Sequence, residues 1–434
     1  MNTILKKIKS NVFIMQSINT MILRIMGIIL LFGFTLFLTH NYSPKIIGQY
    51  DFIRTYLLVL GSLCMLGTDQ SILYFAGILN SEKRTVRLRQ IYLKSILMFL
   101  ISSLIAILIL LILGNDFINS FFNDNKIYII IFKATITIFF YCLTLFNTEV
   151  FRALDSIYIA ELYRNTLKYF SVIIGSVILL NINKQSYLVD VFLLGFFILS
   201  IVSTIFIFKL LWKKKDEVVP RFEDISLKFI FHKSYPFAIS SMGIFLLSTF
   251  DVFFLKKYFG DSTVAFYTVA IKLMTILSMV INVVNITVSA KIAELFSLKN
   301  KKELIKIIKN SSRLIFILTL PMSFIICVFS EKILTFFGPQ YFVAKQTLII
   351  LIFGQCINSL FGVAPIYLNM TGRQHLFQFI LIFAVFTNLV LNSILVPMYG
   401  IEGAAFSFSI SMFLWNLLSS IYIYKKDKIN VFLN

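Results

Sequence analysis

Apolar residues run through this chain in blocks of about 20, each closed by a short polar or basic interval. A block of that length forms a helix that can cross a hydrocarbon core of about 30 Å. The pattern predicts about twelve spans, near residues 19–39, 53–77, 91–113, 127–151, 160–181, 188–211, 236–257, 264–288, 312–330, 343–369, 375–396 and 401–424. The fifth is the least regular, because Glu161, Arg164 and Lys168 interrupt its start. The first is too long for the apolar core of a secretory leader, and no small-x-small cleavage site follows it. The longest polar interval, "KKKDEVVPRFEDISLKFIFHK", divides the spans six and six. The expected organisation is an N-terminal lobe at 1–212, a cytoplasmic linker at 213–235 and a C-terminal lobe at 236–434. The fold class is therefore all-α and polytopic.

Composition agrees with this reading. A chain that is 59% hydrophobic and 14% charged, with a mean hydropathy of +0.89, belongs mostly in lipid. Its net charge of +20 raises the question of nucleic acid, and the placement of the charge answers it. Threading from a cytoplasmic N-terminus puts roughly 30 of the 40 Lys and Arg on the inner side or at inner helix ends, with groups at 6–9, 83–89, 213–215, 299–309 and 425–428. The basic excess is thus a topology signal, both termini fall in the cytoplasm, and no nucleic-acid partner is expected. Cys64, Cys142, Cys327 and Cys356 stand singly in apolar segments, and the three histidines are far apart at segment ends, so no metal site or cofactor is expected.

Polar residues inside the spans carry the functional signal. In the eighth span Lys272, Thr275, Ser278, Asn282, Asn285 and Ser289 recur at steps of three or four, along one helix face. Gln355, Asn358, Gly362, Pro365 and Asn369 repeat the pattern in the tenth span, and Lys133 to Thr148 in the fourth. Ser, Thr and Asn in such stripes can simply hold helices together, at about 0.6 kcal/mol each. Embedded charges point instead to a wet cavity. Arg24, Arg54, Lys133, Lys168 and Lys272 would make it cationic, suited to a pyrophosphate or an acidic sugar, with Asn282, Asn285, Gln355 and Asn358 as further lining. Asp69 and Asp251 are its candidate acids. A carboxylate at mid-membrane costs roughly 2.5–3.5 kcal/mol and needs a partner, and comparable depth on neighbouring antiparallel spans makes Lys272 the expected partner of Asp251.

The halves echo each other: Gly48, Tyr50 and Arg54 in "SPKIIGQYDFIRT" match Ala265, Tyr267 and Lys272 in "DSTVAFYTVAIKL". Such repeats are common in transporters. Several stretches, "SPKIIGQY", "LGTDQSILYF", "FRALDSIYIAE", "FDVFFLKKYFGDSTVAFYTVAIKL", "FFGPQYFVA", "NMTGRQHLF" and "LVPMYGIEGAAFSFSIS", lie in order along nearly the whole chain. In this ordered set the sequence resembles the polysaccharide-biosynthesis flippases of the MOP (MATE-like) superfamily. It departs from them at Ala265, where glycine is usual. The resemblance implies two six-helix lobes in a V-shaped, alternating-access transporter of a bacterial cytoplasmic (inner) membrane. Its substrate would be an undecaprenyl-pyrophosphate-linked oligosaccharide of O-antigen or capsule type, and its partners membrane lipids, a polysaccharide polymerase and a chain-length regulator.

An enzyme is not expected. The outer loops are short, and no Walker, Gly-rich nucleotide or HExxH motif is present in the sequence. The closer alternative is a MATE-type multidrug antiporter for organic cations. That reading calls for a cavity lined by acidic and aromatic groups, and Asp69, Glu149 and Asp251 favour it, whereas the spans offer more buried cations than acids.

Overall fold

The computed structural model describes the backbone of residues 2–78, 84–212 and 226–432, and the side chains of residues 20, 22–76, 88–212 and 226–432. The side chains of Lys6, Lys7, Lys9, Lys83, Arg84, Arg87 and Lys213 to Lys215, expected on the inner side, lie outside the described residues, as do residues 213–225 of the expected linker. Every described element is helical. In order they are α1 (Asn2–Asn41), α2 (Pro44–Met65), α3 (Thr68–Ile78), α4 (Arg84–Phe122), α5 (Ile127–Ala153), α6 (Ile157–Leu162), α7 (Lys168–Asn181), α8 (Leu188–Trp212) and α9 (Leu227–Phe259). They continue as α10 (Asp261–Ser297), α11 (Lys301–Val328), α12 (Ser330–Phe336), α13 (Lys345–Leu360), α14 (Ala364–Met370) and α15 (Gln374–Asp427). A π-helical turn, Tyr163–Leu167, joins α6 to α7.

Among the described residues nine helices are long and apolar enough to cross a membrane, or ten if α2 and α3, bent by 49°, form one broken span. Two features separate this count from the expected twelve. The fifth stretch is split into α6, the π turn and α7 by its own polar residues. The last two stretches are joined in α15, whose 54 residues would extend about 80 Å if straight. Gly400, at φ 56° and ψ −128°, breaks it between the two predicted blocks. Only glycine reaches such a conformation without strain. Each of the twelve predicted stretches therefore lies mainly on helix, the second and tenth with breaks at 66–67 and 361–363.

The chain forms two compact units: Met1–Tyr42 with Ile53–Met242, and Ser43–Phe52 with Gly243–Asn434. One division falls between α1 and α2 and the other two fall inside helices, so α2 and α9 each contribute to both units, and residues 226–235 of the expected linker already belong to α9 and its approach. In the first unit α5 packs against α3, α4, α6 and α8. Tyr92 stacks on Phe146 with ring centroids 5.8 Å apart and gives its hydroxyl proton to Asn147 Oδ1 at 3.0 Å, while Asn147 donates to Ser203 at 2.8 Å. Lipid gives helices no hydrophobic reason to associate, so this combination of ring packing and interhelical hydrogen bonds holds α4, α5 and α8 together. The start of α9 is fastened to the α2–α3 break: the hydroxyls of Ser71 and Ser234 are 2.6 Å apart, and a Cβ on Gly67 would lie 2.3 Å from the Ser234 carbonyl oxygen.

The second unit is built on α10, α11, α13 and α15. Its core includes Ile292, Ile308, Ile315, Tyr367, Leu381 and Ile423, and the chain after α15 returns to it, burying Ile429 and Val431. Ser312 donates to the Val431 carbonyl at 3.2 Å. Outside the spans, the Arg373 guanidinium bonds Asp427, which holds its pKa above the ordinary value, with burial opposing.

Candidate functional site

The first unit carries a cluster of five charged side chains. The last turn of α5 places Glu149 and Arg152 three residues apart, on the same side of the helix. A tight reversal with Asp155 at φ 61° then starts α6, whose Glu161 returns to the same region. The extra residue of the π turn brings in Arg164 and Asn165, and such turns are frequent at functional sites. Close approach of α1 completes the cluster. A Cβ on Gly27 would lie 2.7 Å from Asn165 Cβ, so only glycine fits there, and Arg24, about one turn earlier, meets Glu161.

Glu161 accepts from Arg24 at 3.1 Å, Arg152 at 2.8 Å and Asn165 at 2.7 Å. Glu149 accepts from Arg152 at 3.4 Å and from Arg164. The carboxylate side chains are 1% and 7% exposed, and the guanidinium side chains 46%, 26% and 36% for Arg24, Arg152 and Arg164. Three cations on two anions leave one positive charge among these five side chains, and Asp69 lies near enough to act electrostatically on Arg164. In these bonds each guanidinium uses at most two of its five N–H donors. The buried acids fix the orientation of the arginines, whose outer edges can fork onto phosphate oxygens.

The second unit buries three carboxylates, Asp51, Asp251 and Asp261, the last paired with Lys256 at 2.7 Å. Asp51 is fully enclosed and accepts from Lys272 Nζ at 3.0 and 3.1 Å and from the Thr268 hydroxyl at 2.6 Å. Asp251, also fully enclosed, accepts from the Tyr267 hydroxyl at 2.5 Å and from Asn392 Nδ2 at 2.6 Å, and Asn392 is held in turn by Asn388 at 3.1 Å. A polar relay runs deeper in the same unit. Gln355 donates to Ser278, Asn358 donates to Gln355 at 2.9 Å, and Asn416 donates to Asn358 at 2.7 Å.

The expected pairing of Asp251 with Lys272 is therefore corrected. Each has its own partner, because the Ser43–Phe52 segment belongs to the second unit and delivers Asp51 to Lys272. The expected excess of cations over acids is corrected as well. Among the described residues the buried charged side chains are Asp51, Glu149, Glu161, Asp251 and Asp261 against Lys256 and Lys272. Arginine can leave its head at an open edge while its stem packs below, whereas short carboxylate side chains have no such reach. Of the other candidates, Lys133 pairs with Asp190 at 2.6 Å, both near half exposure, and Lys168 lies 4.8 Å over the Tyr169 ring. Arg54 is partly buried on α2, and Asp69 opens α3, bonded by Gln70 at 3.3 Å. Asn282 is exposed and Asn285 half-buried on α10. The structure thus joins Gln355 to Asn358 and places Arg24 in the cluster, but keeps Lys133 and Lys168 in separate contacts.

Sequence reading missed Asp51, Arg152, Glu161, Arg164, Asn392 and Asn416 as site residues. Asp51 carried no such signal as Asp251 did, because it stands two residues before the second apolar block, in the polar interval after the first span. Asn388 and Asn392 stand at i and i+4, on one face of an apolar span. The irregular start of the fifth stretch was itself the trace of the cluster.

Residues 8–290 match the model of the family described as polysaccharide biosynthesis protein, and residues 236–394 match that of the MatE family. The chain is similar to the "Probable low-salt glycan biosynthesis flippase Agl15" of Haloferax volcanii, 27% identical over 195 residues. That alignment covers 45% of this chain and 41% of the relative, so the match spans less than half of either. Among solved structures, the lipid II flippase MurJ in an inward closed conformation has a TM-score of 0.69 at 15% identity, covering 94% of this chain and 87% of its own. An inward-facing multidrug resistance MATE family transporter of the MOP superfamily has a TM-score of 0.71 at 14% identity, with 94% of each chain covered. At these identities the two structures establish the fold alone.

Proposed function

Because the chain belongs to the polysaccharide biosynthesis protein family, we propose that it is a flippase that moves lipid-linked glycan between membrane leaflets by alternating access. The substrate is an oligosaccharide repeat unit on undecaprenyl pyrophosphate, of O-antigen or capsule type, and the membrane a bacterial cytoplasmic membrane with both termini inside. The observation that carries this reading is the arginine cluster. Arg24, Arg152 and Arg164 are oriented by buried Glu149 and Glu161 and present a net positive edge. In the proposed topology the α5 end lies on the cytoplasmic side, where the glycan is assembled, so the cluster receives the pyrophosphate there. No step of bond making or breaking is required, and the protein is a transporter rather than an enzyme. A polymerase and a chain-length regulator act on what it delivers.

Complementation tests the reading. Expression in a strain lacking its own repeat-unit flippase should restore surface polysaccharide, and Arg152→Ala with Arg164→Ala should abolish the restoration at equal protein level. Absence of any restoration, across hosts differing in repeat-unit sugars, would contradict it. A second reading, export of organic cations, has specific support in the MatE match and in the five buried acids. It predicts ethidium efflux that depends on Asp251.

A further inference from the structure

Away from the charged cluster, the first unit has an open groove between the second half of α2, the middle of α4 and the start of α9, with a volume of about 530 Å³. That is within the range of small-molecule sites, about 300–1,000 Å³. Leu60, Leu63, Met98, Ile105, Ile109 and Phe231 form most of its wall. Ser102, the one hydroxyl there, already donates to the carbonyls of Cys64 at 2.9 Å and Phe99 at 3.1 Å. The wall therefore offers an occupant no polar partner along its length, and the α4 stretch from Met98 to Ile109 runs roughly 16 Å, about half the hydrocarbon thickness. One cation, Lys228, stands among the lining residues, on the first turn of α9, and Lys233 follows on the same helix with its ammonium 6.0 Å over the Phe229 ring. Basic and aromatic residues interleaved at a helix start mark the membrane interface.

An apolar trough about one leaflet deep with an ammonium at its interfacial end is complementary to a hydrocarbon chain that carries a phosphate. Resting on the flippase reading, we infer that this groove holds the polyprenyl tail of the lipid-linked substrate, with Lys228 on its phosphate-bearing end. The tail must stay in the membrane while the glycan crosses. A groove on the basic, inner side of the first unit keeps it beside the protein at loading, with Lys228 on the phosphate joined to the tail before the pyrophosphate passes to the guanidinium cluster.

The test uses the full-length protein in phosphatidylcholine nanodiscs with a diazirine-bearing polyprenyl phosphate, and mass spectrometry of the labelled peptides. Labelling should fall within Met98–Ile109 and Leu60–Leu66 and be displaced by unlabelled undecaprenyl phosphate, but not by a tenfold excess of phosphatidylglycerol. Ala106→Trp, which fills the groove, should cut it at least fivefold, and Lys228→Gln, on an exposed side chain, at least threefold. Should Ala106→Trp fail to fold, Lys228→Gln alone decides. Equal displacement by phosphatidylglycerol, or labelling unchanged in the folded variants, overturns the inference. Glycan export in cells separates the two claims. Export without groove labelling sinks the groove alone, whereas specific labelling with no export of any glycan sinks the flippase reading and leaves a polyprenyl phosphate site.

Discussion

Lys272 and Asp51 form an ion pair that neither residue could abandon singly. Removing one partner of a buried pair strands the other in low dielectric, at a cost of about 3–5 kcal/mol, while replacing both by neutral groups of similar size is often close to neutral. Lys272→Met should therefore destabilise the protein strongly, and Lys272→Met with Asp51→Asn should regain most of the loss. Thermal unfolding in detergent measures both, and additive effects would show that the pair is not coupled. Asp251 obeys the same logic with neutral donors. Asn392→Leu withdraws one of its two side-chain donors and should cost about 1–3 kcal/mol, and adding Asp251→Leu should reduce that loss. Equal stability of wild type and Asn392→Leu would contradict the bond. These partners were only half legible beforehand. A carboxylate in an apolar block announces that it needs a partner, but depth along a span does not say which of several polar groups turns towards it.

At the level of the helix, glycines decide where the long segments stop. Gly400 interrupts α15 at a positive φ, and a Cβ there would meet the Phe259 ring in ordinary contact at 3.6 Å. Gly400→Ala should then lose roughly 1–3 kcal/mol through backbone strain alone. Gly33→Ala, in a helical part of α1 with no atom within 4 Å of the new Cβ, should gain about 0.4–1 kcal/mol. The pair is read in one melting experiment, and loss at Gly33 with none at Gly400 would contradict the assignment of the break. Apolar patterning located every long helix among the described residues because burial in lipid leaves so strong a pattern, but not the short α12, which falls between two predicted blocks. It placed the "YGIEG" boundary between the last two blocks for the same reason. It could not foresee the π turn at Tyr163–Leu167, because one extra residue in a helical turn leaves no mark on hydropathy.

For the whole molecule, the distribution of basic clusters sets the expected orientation. Reporter fusions after Arg89 and after Asp116 should give opposite signals, inner and outer, and equal signals would undo the threading. The unit boundaries lie between α1 and α2 and inside α2 and α9 rather than in the polar interval, which sequence composition marks as the division. Polarity reveals where chain is exposed, not where packing changes allegiance, so the transfer of Ser43–Phe52 to the second unit was hidden. The most direct test of the central claim is translocation by purified protein in liposomes that contain a fluorescent polyprenyl-pyrophosphate oligosaccharide, with a membrane-impermeant quencher as the readout. The account predicts that label initially shielded in the inner leaflet becomes accessible at a rate that depends on the protein, and that Arg152→Ala with Arg164→Ala abolishes this. Label that remains shielded, from vesicles in which the same protein moves ethidium, would contradict it in favour of an antiporter.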